Sequence, residues 1–178
     1  MLRHVGLLVA FIAVPAMAGE MVKTEAAGLR FAVPKQWTRV PAPSDMRAAQ
    51  YKVPRTGADA DDGELVLFYF GRGKGGGLQD NLDRWYAQFE RPDGKPVADA
   101  TVLTIRKVGG LKVTAVDVEG TYSGMAPKNE PKPKTRMLAA IVEGEVGPWF
   151  FKLIGPDATV ASAKSDFDAV LGSLEVHQ

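Results

Sequence analysis

Residues 101–122 read TVLTIRKVGGLKVTAVDVEGTY. Two stretches rich in β-branched residues flank Gly109-Gly110. A two-residue glycine connection is the preferred joint of a tight hairpin, because both positions take positive φ. Strands 101–108 and 111–122 are therefore expected to pair antiparallel, which argues against a doubly wound parallel sheet. Alternation along them is imperfect. Val102, Ile105 or Val108, then Val113, Val116 and Val118 are the inward candidates, and the mismatch predicts a bulge or a drift in register.

Upstream, GLRFAVPKQW (28–37) places Leu29, Phe31 and Val33 on one face of a short strand. Pro34 ends that strand by removing a ladder donor, and Trp37 folds back as a large core or lid residue. Residues 48–53 and 64–70 form two further strands joined by the polar loop PRTGADADDGE, the second apolar throughout and hence covered on both faces. GRGKGGG (71–77) leads into a helix over 78–89, where Leu78, Leu82, Trp85 and Phe89 make one apolar stripe. Asn81, Arg84 and Gln88 should point away from it, and Asp80 should pair with Arg84 one turn on.

Downstream, MAPKNEPKPK (125–134) is a polar, basic, proline-rich loop. Strands over 136–142 and 148–154 follow it. Gly155-Pro156-Asp157 opens a last helix to about Leu174, buried through Val160, Ala163, Phe167, Val170 or Leu171, and Leu174. Three strands, a helix, four strands and a helix make a layered α+β domain, with an antiparallel sheet of about six to seven strands flanked by helices.

At the other end, MLRH, an apolar run from Val5 to Val14 and the small-residue site Ala16-Met17-Ala18 have the order of a secretory signal peptide. The expected division is a signal peptide over 1–18, a linker over 19–27 and a single domain over 28–176. The mature protein is then a periplasmic or secreted bacterial monomer with no membrane-spanning segment.

Of the chain's 178 residues, 46% are hydrophobic, enough for a core, and 22 Lys and Arg balance 21 Asp and Glu. Such a balance gives no net attraction to nucleic acid. The absence of cysteine excludes disulfides, thiol catalysis and thiolate metal sites. The two histidines, His4 and His177, lie at the extreme ends, so a Ser-His-Asp triad and a histidine metal site are unavailable to the fold. No cofactor is expected.

Gly71, Gly73 and Gly76 satisfy G-x-G-x-x-G, but the antiparallel context is wrong for a dinucleotide fold. A simpler use of the segment is an anion site made of backbone amides at the helix start with Arg72 and Lys74. Close packing or positive φ is the simpler account of the glycines. The candidate binding residues are Arg72, Lys74, Gly75, Gly76, Asn81, Arg84 and Trp85. The clusters Arg84-Trp85-Tyr86 and Trp149-Phe150-Phe151 have the composition to line a groove where the helix meets the sheet. Asp59, Asp61, Asp62 and Glu64 gather on one loop, where a solvated turn competes with calcium binding; their spacing is not that of an EF-hand.

The opening GLRFAVPKQWTRV and the closing run from Trp149 to Leu174 resemble PsbP-like domains. The phrases MRAAQYKVP, FYFGRGKGGGLQDNLDRWYAQF and GPWFFKLIGPDATVASAKSDFDAVL resemble uncharacterised exported bacterial proteins. This resemblance spans roughly residues 27–176 and implies an α/β/α sandwich, a fold shared with photosystem II extrinsic subunits and the Ran-binding import factor. It also implies an accessory or binding role; with the glycine-rich connection and the basic proline loop, the expected target is an envelope protein partner or a small anion. The alternative is a carboxylate-based hydrolytic or transfer enzyme.

Overall fold

The computed structural model describes residues 19–124 and 130–176. The signal-peptide reading of 1–18 and the tip of the proline-rich loop lie outside the described residues. Eleven strands and three helices follow one another: β1 (Met21–Ala26), β2 (Leu29–Pro34), β3 (Thr38–Arg39), β4 (Arg47–Val53), β5 (Gly63–Tyr69), α1 (Leu78–Tyr86), β6 (Phe89–Glu90), β7 (Val102–Val108), β8 (Leu111–Tyr122), β9 (Lys132–Glu143), β10 (Trp149–Pro156), α2 (Asp157–Ser162), α3 (Lys164–Gly172) and β11 (Glu175–Val176).

Eight strands form one sheet in the order β3-β4-β5-β10-β9-β8-β6, with β7 also paired to β8. β1, β2 and β11 form a second sheet of three. Every pairing is antiparallel. The Gly109-Gly110 turn has φ of 54° and 83°, the conformation that its two glycines predict.

The large sheet is covered on both faces because its central strands are apolar on both. Leu65 and Leu67 of β5, Leu138 and Ala140 of β9, and Trp149, Phe151 and Leu153 of β10 turn one way. They meet Leu29, Phe31 and Val33 of β2 and Val160, Phe167, Val170 and Leu171 of the last two helices. The indole N–H of Trp149 donates to the Ala27 carbonyl at 2.9 Å, fastening the small sheet to the large one. On the other face Val116, Val118, Met137, Ala139, Ile141 and Phe150 pack against Leu82, Trp85 and Phe89. Trp37, Trp85 and Trp149 are all buried, as core residues should be.

Several elements differ from expectation. Residues 19–27 are not a bare linker: β1 pairs with β2 along Met21↔Pro34 to Ala26↔Leu29. Their turn, Ala27-Gly28, puts a non-glycine residue at φ 49°, so the usual turn composition does not announce it. Helix α1 stops at Tyr86, and Phe89 is buried from β6 instead. The last helix breaks at Ala163 and ends at Gly172. There the Ser173 hydroxyl donates to Val170 O at 2.7 Å and accepts the Ala32 N–H at 2.8 Å, drawing the chain onto β2.

The hairpin β7–β8 keeps an unbroken register from Val102↔Asp117 to Val108↔Leu111. The irregularity falls further on, between Gly120 and Tyr122 opposite β9. Val102 and Ile105 are exposed because β7 is an edge beyond the cover of the helices, and only Val108 packs on the core.

Candidate functional site

Helix α1 is nine residues long and covers only part of its face of the sheet. Beside it lies a groove of about 310 Å³, lined by Phe68, Phe70, Asn81, Arg84, Trp85, Gln88, Tyr122, Phe150 and Lys152. Phe68 and Phe70 alternate with the inward residues of β5, and Phe150 does the same on β10. Period two therefore delivers three phenylalanines to one floor. Phe70 meets Phe150 edge-on at 5.6 Å between centroids.

The glycine run shapes one wall. Gly75, at φ +96°, lies so close to the floor that a Cβ would stand 2.8 Å from Phe150. Here glycine serves close packing. Asn81 is buried and folds this turn onto the helix, donating through Nδ2 to Gly75 O at 2.9 Å and Gly77 O at 2.7 Å. Asp80 accepts the Gly77 N–H at 3.1 Å, so the start of α1 carries its own carboxylate. Arg84 turns to Asn81 Oδ1 rather than to Asp80.

Lys152 is the unusual member. It occupies β10, opposite Val66 on one side and Ala139 on the other. Its Nζ donates to Gln88 Oε1 at 2.6 Å and stands 5.3 Å from the Tyr122 ring centroid. Burial pushes the ammonium down to about 8; Glu64 opposes that shift and Arg47 reinforces it. Gln88, also buried, spends its Nε2 on Arg84 O at 2.9 Å, so the amide holds a fixed orientation. At the margin Arg47 lies 5.6 Å from the Phe68 ring and pairs with Glu64 at 3.5 Å. Among the described residues neither Lys152 nor Arg84 has a carboxylate within ion-pair distance.

Of the sequence candidates, Asn81, Arg84 and Trp85 meet in this groove, and Gly75 backs its floor. Arg72, Lys74 and Gly76 are not among its lining residues. Asn81 and Gln88 are buried, against expectation, because Asn81 ties the glycine turn to α1 through Gly75 O and Gly77 O, and Gln88, beyond the end of α1, bonds Arg84 O and Lys152. Sequence reasoning missed Phe68, Phe70, Gln88, Tyr122 and Lys152 as site residues. One signal was present: Lys152 interrupts the apolar run WFFKLI, where an unpaired cation is costly.

The acidic loop disperses its carboxylates. Asp59 accepts from Thr159 N and Oγ1 at 2.9 and 2.6 Å, Asp62 from Arg55 N at 3.1 Å, and Glu64 pairs with Arg47. Among the described residues no three acidic or histidine side chains are grouped as a metal site would need. A wider cleft of about 590 Å³ runs between this loop and Pro131–Lys134, with Tyr122 as its one aromatic lining residue and its lysines, Lys132 and Lys134, exposed.

No protein-family model and no curated protein sequence matches the chain. Solved structures do. The chain is similar to cyanobacterial PsbP (CyanoP) from Synechocystis sp. PCC 6803, with 16% identity, a TM-score of 0.54, and coverage of 94% of this chain and 98% of that one. It is also similar to a Pseudomonas aeruginosa protein of unknown function, with 12% identity, a TM-score of 0.50, and coverage of 86% and 95%. The fold is PsbP-like.

Proposed function

We propose that this chain is an exported, non-enzymatic binding domain of PsbP-like fold whose ligand seats in the groove beside α1. The observation that carries the reading is a partly buried ammonium, Lys152, held by a neutral amide among aromatic side chains. Burying a charge without an opposite charge destabilises a fold, and an anionic ligand relieves that penalty. Ligand sites are typically apolar concavities with a few placed polar groups, and 310 Å³ lies at the small end of their range.

Export rests on the tripartite N-terminal sequence, and amino-terminal sequencing of protein from the host envelope should begin near Gly19. Among the described residues no helix is long and apolar enough to cross a membrane. The carboxylate-enzyme alternative has little support. Asp117, the one buried acid among the described residues, is engaged by Arg136 and Lys164.

The test is native mass spectrometry of protein recovered gently from its own envelope. An added mass that leaves on denaturation, and that is absent from the groove-blocking variant Arg84→Trp, supports the reading. An added mass that survives in Arg84→Trp, or none in either protein, removes it.

A further inference from the structure

The groove's charge and size narrow the class of ligand, on the premise that the groove is the binding site. At ~30 Å³ of liquid per water molecule, 310 Å³ corresponds to about ten waters, room for one small molecule. Its walls are mainly aromatic: Phe68, Phe70, Phe150 and Trp85 offer flat apolar surface and little hydrogen bonding. The amides do not add recognition capacity of their own, since Asn81 is used by Gly75, Gly77 and Arg84, and Gln88 by Lys152 and the Arg84 carbonyl.

Two cations then remain, Lys152 inside and Arg84 at the rim. A phosphate dianion favours a nest of backbone N–H groups. In the adjacent glycine turn the Gly77 N–H is taken by Asp80 and the Lys74 N–H by Gly71 O, and the Asp80 carboxylate at that helix start repels a dianion. A carboxylate needs fewer donors. It matches one ammonium with free hydrogens and one guanidinium.

We infer that the groove binds a small organic monocarboxylate, its flat apolar body against the phenylalanine floor and its carboxylate on Lys152, with Arg84 closing the rim. Asn81 and Gln88 are positioning residues that hold the two cations. The side chain of Lys152 selects the charge, and the aromatic floor selects the body.

The experiment titrates the purified chain with 2-naphthoate and with its neutral isostere 2-naphthamide at pH 7, following binding by calorimetry. The carboxylate should bind at least about tenfold more tightly than the amide, the scale of a charge-assisted hydrogen bond. Lys152→Met should erase that ratio. Arg84→Gln, at an exposed position, is the second variant if Lys152→Met does not fold, and should reduce the ratio severalfold. Inorganic phosphate at millimolar concentration should not displace the naphthoate. Equal binding of the two probes overturns the charge selection but leaves the groove as a site. Binding of neither overturns the ligand class, and the mass measurement on envelope protein then judges the groove separately. Displacement by phosphate would reassign the cations to a phosphate ligand.

Discussion

Asp117 and Arg136 form a two-armed ion pair across β8 and β9, with Nε to Oδ1 at 2.7 Å and Nη2 to Oδ2 at 2.9 Å. Lys164 of α3 adds a third donor to Asp117 at 3.1 Å, and Arg136 reaches Asp157 of α2 at 3.2 Å. One carboxylate thus joins two strands to the broken last helix. Burial pushes the Asp117 carboxyl up, but the hydrogen bonds and charges of Arg136 and Lys164 outweigh it and hold the group below the usual range. A depressed native pKa gives stability that is present above the unfolded value and is lost as pH falls through the native one. Asp117→Asn should therefore lower unfolding free energy by about 3 kcal/mol at pH 7, the scale of a broken buried pair. Urea melts should show the gap to wild type closing as the solution is acidified below the carboxylate range; a pH-independent gap would mean that the pair acts through packing alone.

Gly75 makes a second prediction because its surroundings are so tight. An alanine there would meet Phe150 at 2.8 Å and Phe70 at 3.2 Å while holding φ at +96°. Gly73→Ala has positive φ but nothing within 4 Å. Backbone strain alone is worth about 1 kcal/mol, and overpacking adds a similar amount or more. Gly75→Ala should cost at least about 2 kcal/mol and Gly73→Ala about 1 kcal/mol in the same denaturation experiment. Equal losses would show that the floor yields.

Asp59 distinguishes a structural acid from a calcium ligand. Its Oδ2 takes both the amide and the hydroxyl of Thr159, a fully buried residue in the first turn of α2. It therefore acts as a helix cap supplied from a distant loop. Asp59→Ala should destabilise by about 1 kcal/mol, the usual value of a lost cap. Millimolar calcium should leave the melting temperature of the wild type unchanged. A calcium-dependent rise, lost in the variant, would restore the metal reading.

The large elements were legible because each had its own local signal. Leu29, Phe31 and Val33 show period two, Gly109-Gly110 names a hairpin, and Leu82 with Trp85 marks a helix face. Short pairings were not legible. β3, β6 and β11 have two residues each and exist only because a neighbouring strand presents a free edge. Val102 and Ile105 look like core residues but lie on an edge, since alternation cannot tell which strands the helices reach. The groove was half legible for the same reason. Arg84, Trp85 and Asn81 sit on one element that invites inspection, whereas Gln88, Tyr122 and Lys152 come from three segments that only the sheet order brings together. The lysine within an apolar strand was the readable clue. A buried base signals a site as well as a buried acid does.

That lysine supports the last prediction. Burial holds Lys152 at about 8, with Glu64, Arg47 and the Tyr122 ring the groups that face it. In the unfolded chain the same amine titrates at ~10.4. The native state therefore carries the full desolvation penalty of this partly buried ammonium below pH 8, and the penalty is relieved as pH rises from about 8 to ~10.4, where the unfolded state binds more protons. Lys152→Met removes the group, so wild-type stability measured relative to this variant should climb across that window by on the order of 3 kcal/mol. Other titrations largely cancel in the difference. At pH 7 the paired change Lys152→Met with Gln88→Leu, which also removes the orphaned amide oxygen, should match or exceed the wild type in stability. A carboxylate ligand acts on the same balance. It should raise the melting temperature more at pH 7 than at pH 10, because deprotonation removes the charge it compensates. A flat stability difference together with pH-independent ligand stabilisation would place Lys152 in solvent and leave the groove without its selecting charge.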